Sequence, residues 1–182
     1  MAKNDARVRY TQRVLKEALL RLLRDKPVNK ITVKEVCQLA DLNRATFYAH
    51  YSDCFDLLDC IEKELVDAFG RLLTDSSPFD VRGLIEAIYT MIEQQEEACR
   101  VLIFGGVSSS VLPRMIELAR QSSLEVWKRQ LKRATPEDLE MLYTHLSNGM
   151  LHVVTEGYGK YSRESIIGFA ERMVQSSLAP YL

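Results

Sequence analysis

Apolar residues recur at helical spacing through most of the chain, and strand-like alternation is absent. Val14, Leu15, Ala18, Leu19, Leu22 and Leu23 predict a first helix, with Thr11 placed to cap its start. After the turn "DKPVNK", Thr32 caps a short helix that carries Val33, Val36, Cys37 and Ala40 on one face. "ADLN" turns the chain again, and Asn43 caps a third helix that ends near Tyr51. A fourth begins at Ser52 or Asp53 and runs to about Leu73 on the stripe Phe55, Leu58, Ile61, Leu65, Ala68 and Leu72. Asp53 and Asp56 sit in its first turn, where the helix dipole favours anions. "TDSSPFD" is the clearest break in the chain.

Beyond that break the pattern stays helical. Val81, Leu84, Ile85, Ile88 and Ile92 form one stripe, and Glu97 to Phe104 forms a short helix stopped by Gly105-Gly106. Another helix runs from Val111 to about Ala134, with Pro113 in its first turn. Thr135-Pro136 is a strong start signal, followed by Leu139, Leu142, Leu146, Met150 and Val153. The last helix begins near Ser162 and carries Ile166, Ile167, Ala170, Met173 and Val174. The expected architecture is all-α, with about nine helices.

Two short helices joined by a tight turn, at residues 32–51, describe a helix-turn-helix. The segment "NRATFYAHY" carries most of its chemistry. At about 100° per residue, Phe47 and Tyr51 share one side and face inward. Arg44 and Tyr48 share another side beside the small residues Ala45 and Ala49, flanked by Thr46 and His50.

Composition adds a polarity to this layout. Residues 1–51 hold 11 Lys and Arg against 5 Asp and Glu, whereas residues 52–182 hold 13 against 20. The formal net charge of -1 therefore conceals a basic amino-terminal third on an acidic body, which points to a polyanion at one end. Arg7, Arg9, Arg13 and Lys16 crowd the start of the first helix, where cations oppose the dipole; either a phosphate partner or simple solvation accounts for them. Cys37, Cys54, Cys60 and Cys99 form no Cys-x-x-Cys pair and have no histidine at zinc spacing, so no metal and no cofactor is expected. The polar amino terminus and the lack of a long apolar run suggest a cytoplasmic chain with no membrane span.

The stretch "TVKEVCQLADLNRATFYAHYSDCFDLL", Thr32 to Leu58, resembles the amino-terminal signature of the TetR family (TetR/AcrR-like) of bacterial transcription regulators. That signature runs roughly T-x-x-x-I-A-x-x-A-G-V-S-x-G-T-L-Y-x-H-F-x-x-K-x-x-L-L, and the resemblance extends over about residues 8–68. It implies a three-helix DNA-binding domain at 8–68 and a helical effector-binding and dimerisation domain at 74–182. Asn43, Arg44, Ala45, Thr46, Tyr48 and His50 would then lie at a DNA major groove. Arg44 would read a base edge, since a guanidinium holds guanine O6 and N7 bidentately. Tyr48, Thr46 and His50, with Thr32 and Lys34 at the start of the second helix, would contact phosphates. Three departures stand out. Asp41 replaces the turn glycine, Ala45 replaces a frequent glycine, and Cys54 replaces a phosphate-contacting lysine. The last lowers affinity somewhat and leaves a thiol near DNA, which raises the question of redox sensing.

The resemblance also implies a small-molecule effector pocket in the body. Tyr89, Met91, Cys99, Phe104, Met115 and Trp127 are its aromatic or polarizable candidates, although such residues also build ordinary core. The last two helices are expected to form a homodimer interface through Leu146, Gly149, Met150, Val153, Ile166, Ala170 and Met173, placing two recognition helices on a palindromic operator. Gly157 would allow close helix approach or simply end its helix. No catalytic constellation is found. His50 lacks a nucleophile and an orienting acid nearby in sequence, and His145 and His152, seven residues or roughly 10 Å apart along a helix, are too distant to share a metal. The expectation is a non-enzymatic, dimeric DNA-binding regulator, a repressor released by a small effector. The alternative is a coactivator of the same fold controlled by a protein partner.

Overall fold

The computed structural model describes residues 2–73 and 80–182. Nine α-helices are present among them: α1 Ala2–Leu23, α2 Val33–Ala40, α3 Arg44–Tyr48, α4 Cys54–Leu73, α5 Val81–Gln94, α6 Glu96–Leu102, α7 Val111–Gln130, α8 Pro136–Gly157 and α9 Arg163–Leu178. Two single 3-10 turns, Val28–Lys30 and Ala179–Tyr181, complete them, and no strand occurs among the described residues. The architecture is therefore all-α. The break at "TDSSPFD" falls mostly on residues 74–79, outside the described residues.

The chain divides into two compact units. The first comprises Met1–Leu65 with Gln95–Val111, and the second Val66–Gln94 with Leu112–Leu182. In the first unit α2 packs on α1 and α3, and α6 packs on α1. Leu15, Leu19, Val36, Phe47 and Leu57 are fully buried there. In the second unit α5 and α8 pack on α9. Trp127, Leu131, Leu139, Tyr143, Leu146, Val174 and Leu178 form its buried cluster.

Helix starts follow from their caps. Thr32 and Thr135 each close a reciprocal capping box, with Glu35 and Asp138, and Pro136 fits the first helical position of α8. The Asn43 and Ser162 side chains accept the backbone N–H groups of Thr46 and Ser165. The start of α1 departs from expectation. The helix begins at Ala2, so Thr11 lies in its interior and is buried rather than capping. The stretch before it contains no glycine or proline, and polar residues alone do not end a helix.

Gly157 meets a real steric limit. A Cβ there would lie 2.9 Å from Ile166 Cδ1, so the end of α8 comes close to the first turn of α9. Arg163, at the head of α9, ties it to α5 through ion pairs with Glu86 and Glu93 and lies 4.5 Å above the Tyr89 ring.

Candidate nucleic-acid interface and body cavity

The turn between α2 and α3 is built from local hydrogen bonds. Asp41 adopts the left-handed conformation, φ 54° and ψ 44°, which aspartate tolerates better than most residues. The Leu42 N–H donates to the Cys37 carbonyl at 2.9 Å and the Asp41 N–H to that of Gln38, the pairing of a Schellman stop. Two residues later Asn43 Oδ1 accepts the Thr46 N–H at 2.7 Å and the Thr46 hydroxyl at 3.0 Å. One helix is thus closed and the next opened within a few residues.

Glu35 fastens the start of α2. Its carboxylate accepts from the Lys26 ammonium and from the Thr32 N–H and hydroxyl. The Lys26 bond, then those of Thr32, push its pKa down to about 2.

Side chains divide as the helical projection requires. Phe47 is fully buried and Tyr51 nearly so, while Tyr48 is 59% exposed with its ring edge-on to Phe47 at 5.6 Å. Thr32, Lys34, Asn43, Arg44 and Ala45 are exposed, and Thr46 and His50 half-buried. α3 is shorter than expected, because the His50 and Tyr51 N–H groups both turn back to the Phe47 carbonyl.

Several cations of this unit are held by carboxylates. Arg13 pairs with Glu17, Lys16 with Glu64, Arg24 with Glu97 and Lys26 with Glu35. Arg21 and Lys30 have no such partner among the described residues, and neither do Lys34 and Arg44, which share the α2–α3 surface. Two exposed cations without carboxylates, beside an exposed tyrosine and small alanines, suit an incoming polyanion. Cys54 is buried, and its thiol is pushed up by burial first and by Asp53 next. That shift opposes thiolate formation.

Glu62 carries no mark in the local pattern of the chain. This carboxylate is buried on α4 and accepts from the Ser110 N–H at 3.0 Å and from the Ser110 hydroxyl, just before α7. Its partner lies 48 residues away, beyond the reach of local pattern.

In the second unit a cavity of about 110 Å³ lies among α5, α7, α8 and α9. Met115 and Trp127 line it, together with Leu84, Ile88, Ile116, Tyr143, Ser147 and Met150. Of the other pocket candidates, Tyr89 lies under Arg163 and Met91 is fully buried apart from the cavity, while Cys99 and Phe104 belong to the first unit. Burial pushes the Cys99 thiol up to about 12.

A second apolar groove, of about 250 Å³, runs between α8 and α9. Leu146, Gly149, Met150, Val153, Ala170 and Met173 line it, with His145 and Phe169, whereas Ile166 is buried elsewhere. Phe169 and Met173 stay 42% and 44% exposed, and Gly149 has open space where a side chain would stand. His152 lies in a separate cleft with Leu112 and Asn148. No helix among the described residues is long and apolar enough to cross a membrane.

An all-helical chain with a helix-turn-helix in its first unit has the fold of the TetR family of transcription regulators. Its structural neighbours include a TetR transcriptional regulator from Streptococcus agalactiae 2603V, with a TM-score of 0.71, 21% identity and coverage of 95% of this chain and 98% of that one. A TetR family regulator from Marinobacter aquaeolei VT8 gives 0.62, 17%, and 98% of both chains. The dihydroxyacetone kinase operon activator DhaS gives 0.60, 13%, and 94% and 97%. Among curated proteins, the uncharacterized HTH-type transcriptional regulator YxbF of Bacillus subtilis (strain 168) is 34% identical over 62 residues. That match covers 34% of this chain and only 16% of YxbF. No protein-family model matches the chain.

Proposed function

We propose that the chain is a homodimeric, sequence-specific DNA-binding transcription regulator of the cytoplasm. It acts as a repressor released by a small-molecule effector. The observation that carries this reading is the surface of α2 and α3, where Lys34 and Arg44 stand exposed and unpaired beside Tyr48 while Phe47 anchors the helix from below. The 62-residue likeness to a helix-turn-helix regulator supports it.

In this reading residues 8–68 bind DNA and residues 74–182 hold the effector and the dimer interface. Arg44 reads a guanine edge. Tyr48, His50, Thr46, Thr32 and Lys34 contact phosphate, with the free N–H groups at the start of α2. Asn43 and Thr32 act partly through the caps they form. The exposed α8–α9 groove pairs with its copy and sets two recognition helices about one DNA turn, roughly 34 Å, apart. Effector binding in the body favours a dimer whose helices no longer fit that spacing. The cavity beside Trp127 and Tyr143 favours a small ligand over control by a protein partner.

Footprinting on the DNA flanking its own gene tests this. The expected result is a protected inverted repeat with half-site centres one turn apart. Uniform, salt-sensitive binding with no protected segment would overturn it.

A further inference from the structure

The cavity and the groove of the second unit share a wall. Leu146 and Met150 on α8 and Val174 on α9 line both. At these positions a single side chain touches the cavity on one side and the groove on the other. Leu146 and Val174 belong to the buried cluster, and Met150 packs against it half-buried. Methionine is unbranched and adapts its shape to what lies beside it.

Two small residues leave the room behind this wall. Met115, Ala119, Ser123 and Trp127 follow one another every four residues along one face of α7, and all line the cavity. Met115 and Trp127 are buried, and the short side chains between them go with a space of about 110 Å³. Close-packed interiors hold few voids of this kind, so most buried side chains have nowhere to move. Leu146, Met150 and Val174 do.

The groove suits a copy of itself. Its lining carries no Asp, Glu, Lys or Arg, so a two-fold pairing brings no like charges together. It also holds both halves of a fit. Phe169 and Met173 are exposed along it, and Gly149 leaves open space in it. In an isologous interface the side chains of one copy meet the recess of the other, and the reverse. A side chain of the copy that enters the groove presses on the shared wall. The wall yields while the space behind it is free, and it stands firm once that space is filled.

We infer that filling the cavity stiffens the Leu146–Met150–Val174 wall and weakens the pairing of the groove with its copy. This rests on the homodimeric reading above and names the place where the body cavity acts on the interface.

Side chains can fill the cavity without a ligand. Ala119→Met and Ser123→Leu enlarge residues that line the cavity and not the groove. Dimer dissociation of the full chain is measured by sedimentation equilibrium, and circular dichroism checks that each variant is folded. Both variants are expected to raise the dissociation constant about fivefold or more, the lower end of ordinary coupling between sites. Ile85 is fully buried on α5 and lines neither space, so Ile85→Val is expected to stay within about twofold of the unaltered chain. In a double-mutant cycle, Met150→Ala cuts the effect of Ala119→Met to less than about twofold, because a shortened wall yields again. Unchanged or tighter pairing in folded Ala119→Met and Ser123→Leu would overturn the coupling. So would an equal loss in Ile85→Val, or a cycle in which Met150→Ala leaves the effect whole. Failure of the dimer reading looks different. An unaltered chain that stays monomeric at every concentration removes the homodimer, and a dimer indifferent to Met173→Asp removes the groove as its interface.

Discussion

Arg44 and Ser147 both lack a hydrogen-bond partner among the described residues, but water reaches only one of them. Arg44 stands exposed on a helix pinned from below by Phe47, and solvation covers it while it waits for a partner. The Ser147 hydroxyl is sealed, so its unmade bond is a standing cost to the folded chain. An exposed site is therefore cheap to keep empty and must gain affinity from many weak contacts. A sealed polar group is costly to leave unpaired, and water does not relieve it. The two units use polar groups in opposite ways, and substitutions in each should fail differently.

The largest effect falls on the first unit's foundation. Phe47→Ala is expected to cost about 3–5 kcal/mol of stability in denaturant titration, because the side chain is fully buried. Arg44→Ala should change the same measurement by less than about 0.5 kcal/mol, which separates anchor from reader. On the α8–α9 groove, Met173→Asp is expected to weaken dimerisation by about 2 kcal/mol or more in sedimentation equilibrium; a dimer of unchanged affinity would move the interface elsewhere. In binding assays Arg44→Ala should lose about 1–3 kcal/mol of discrimination between operator and altered sequences, and equal loss on all sequences would make it a phosphate contact instead. Thr32→Ala should cost about 1 kcal/mol through the lost cap of α2.

The smallest effect is a pH dependence. Glu35 has a folded pKa of about 2 against the usual 4.5, so it stabilises the fold above the usual value. That contribution fades as pH falls from about 4.5 toward 2. An acid titration followed by helicity should show the loss in that window, and Glu35→Gln should flatten it. A change confined to higher pH would assign the transition to another group.

What sequence could carry depended on distance along the chain. The α2–turn–α3 segment was legible because its caps, its left-handed Asp41 and its Phe47–Tyr51 anchor all act within a few residues. At Thr11 a polar run resembles a helix start, although nothing in it breaks a helix. The cavity drew on four helices, and only Met115 and Trp127 of its expected residues line it. Tyr89 has the right chemistry, but its ring is taken by Arg163, a residue 74 positions on whose approach no spacing rule reveals. The same limit hid Glu62 and its bond to Ser110. Phe169, exposed on the groove, falls outside the apolar stripe of α9, so helical spacing does not mark it.

α3 has only five residues. At 3.6 residues per turn it makes less than one and a half turns, so a single face offers just Arg44 and Tyr48. Two side chains carry little information about a genome. On the DNA reading, one protomer names a few letters at most, and its address must be completed by grammar: the repetition of the word by a second protomer, the fixed interval between the two, and the stiffness of the base pairs that neither touches.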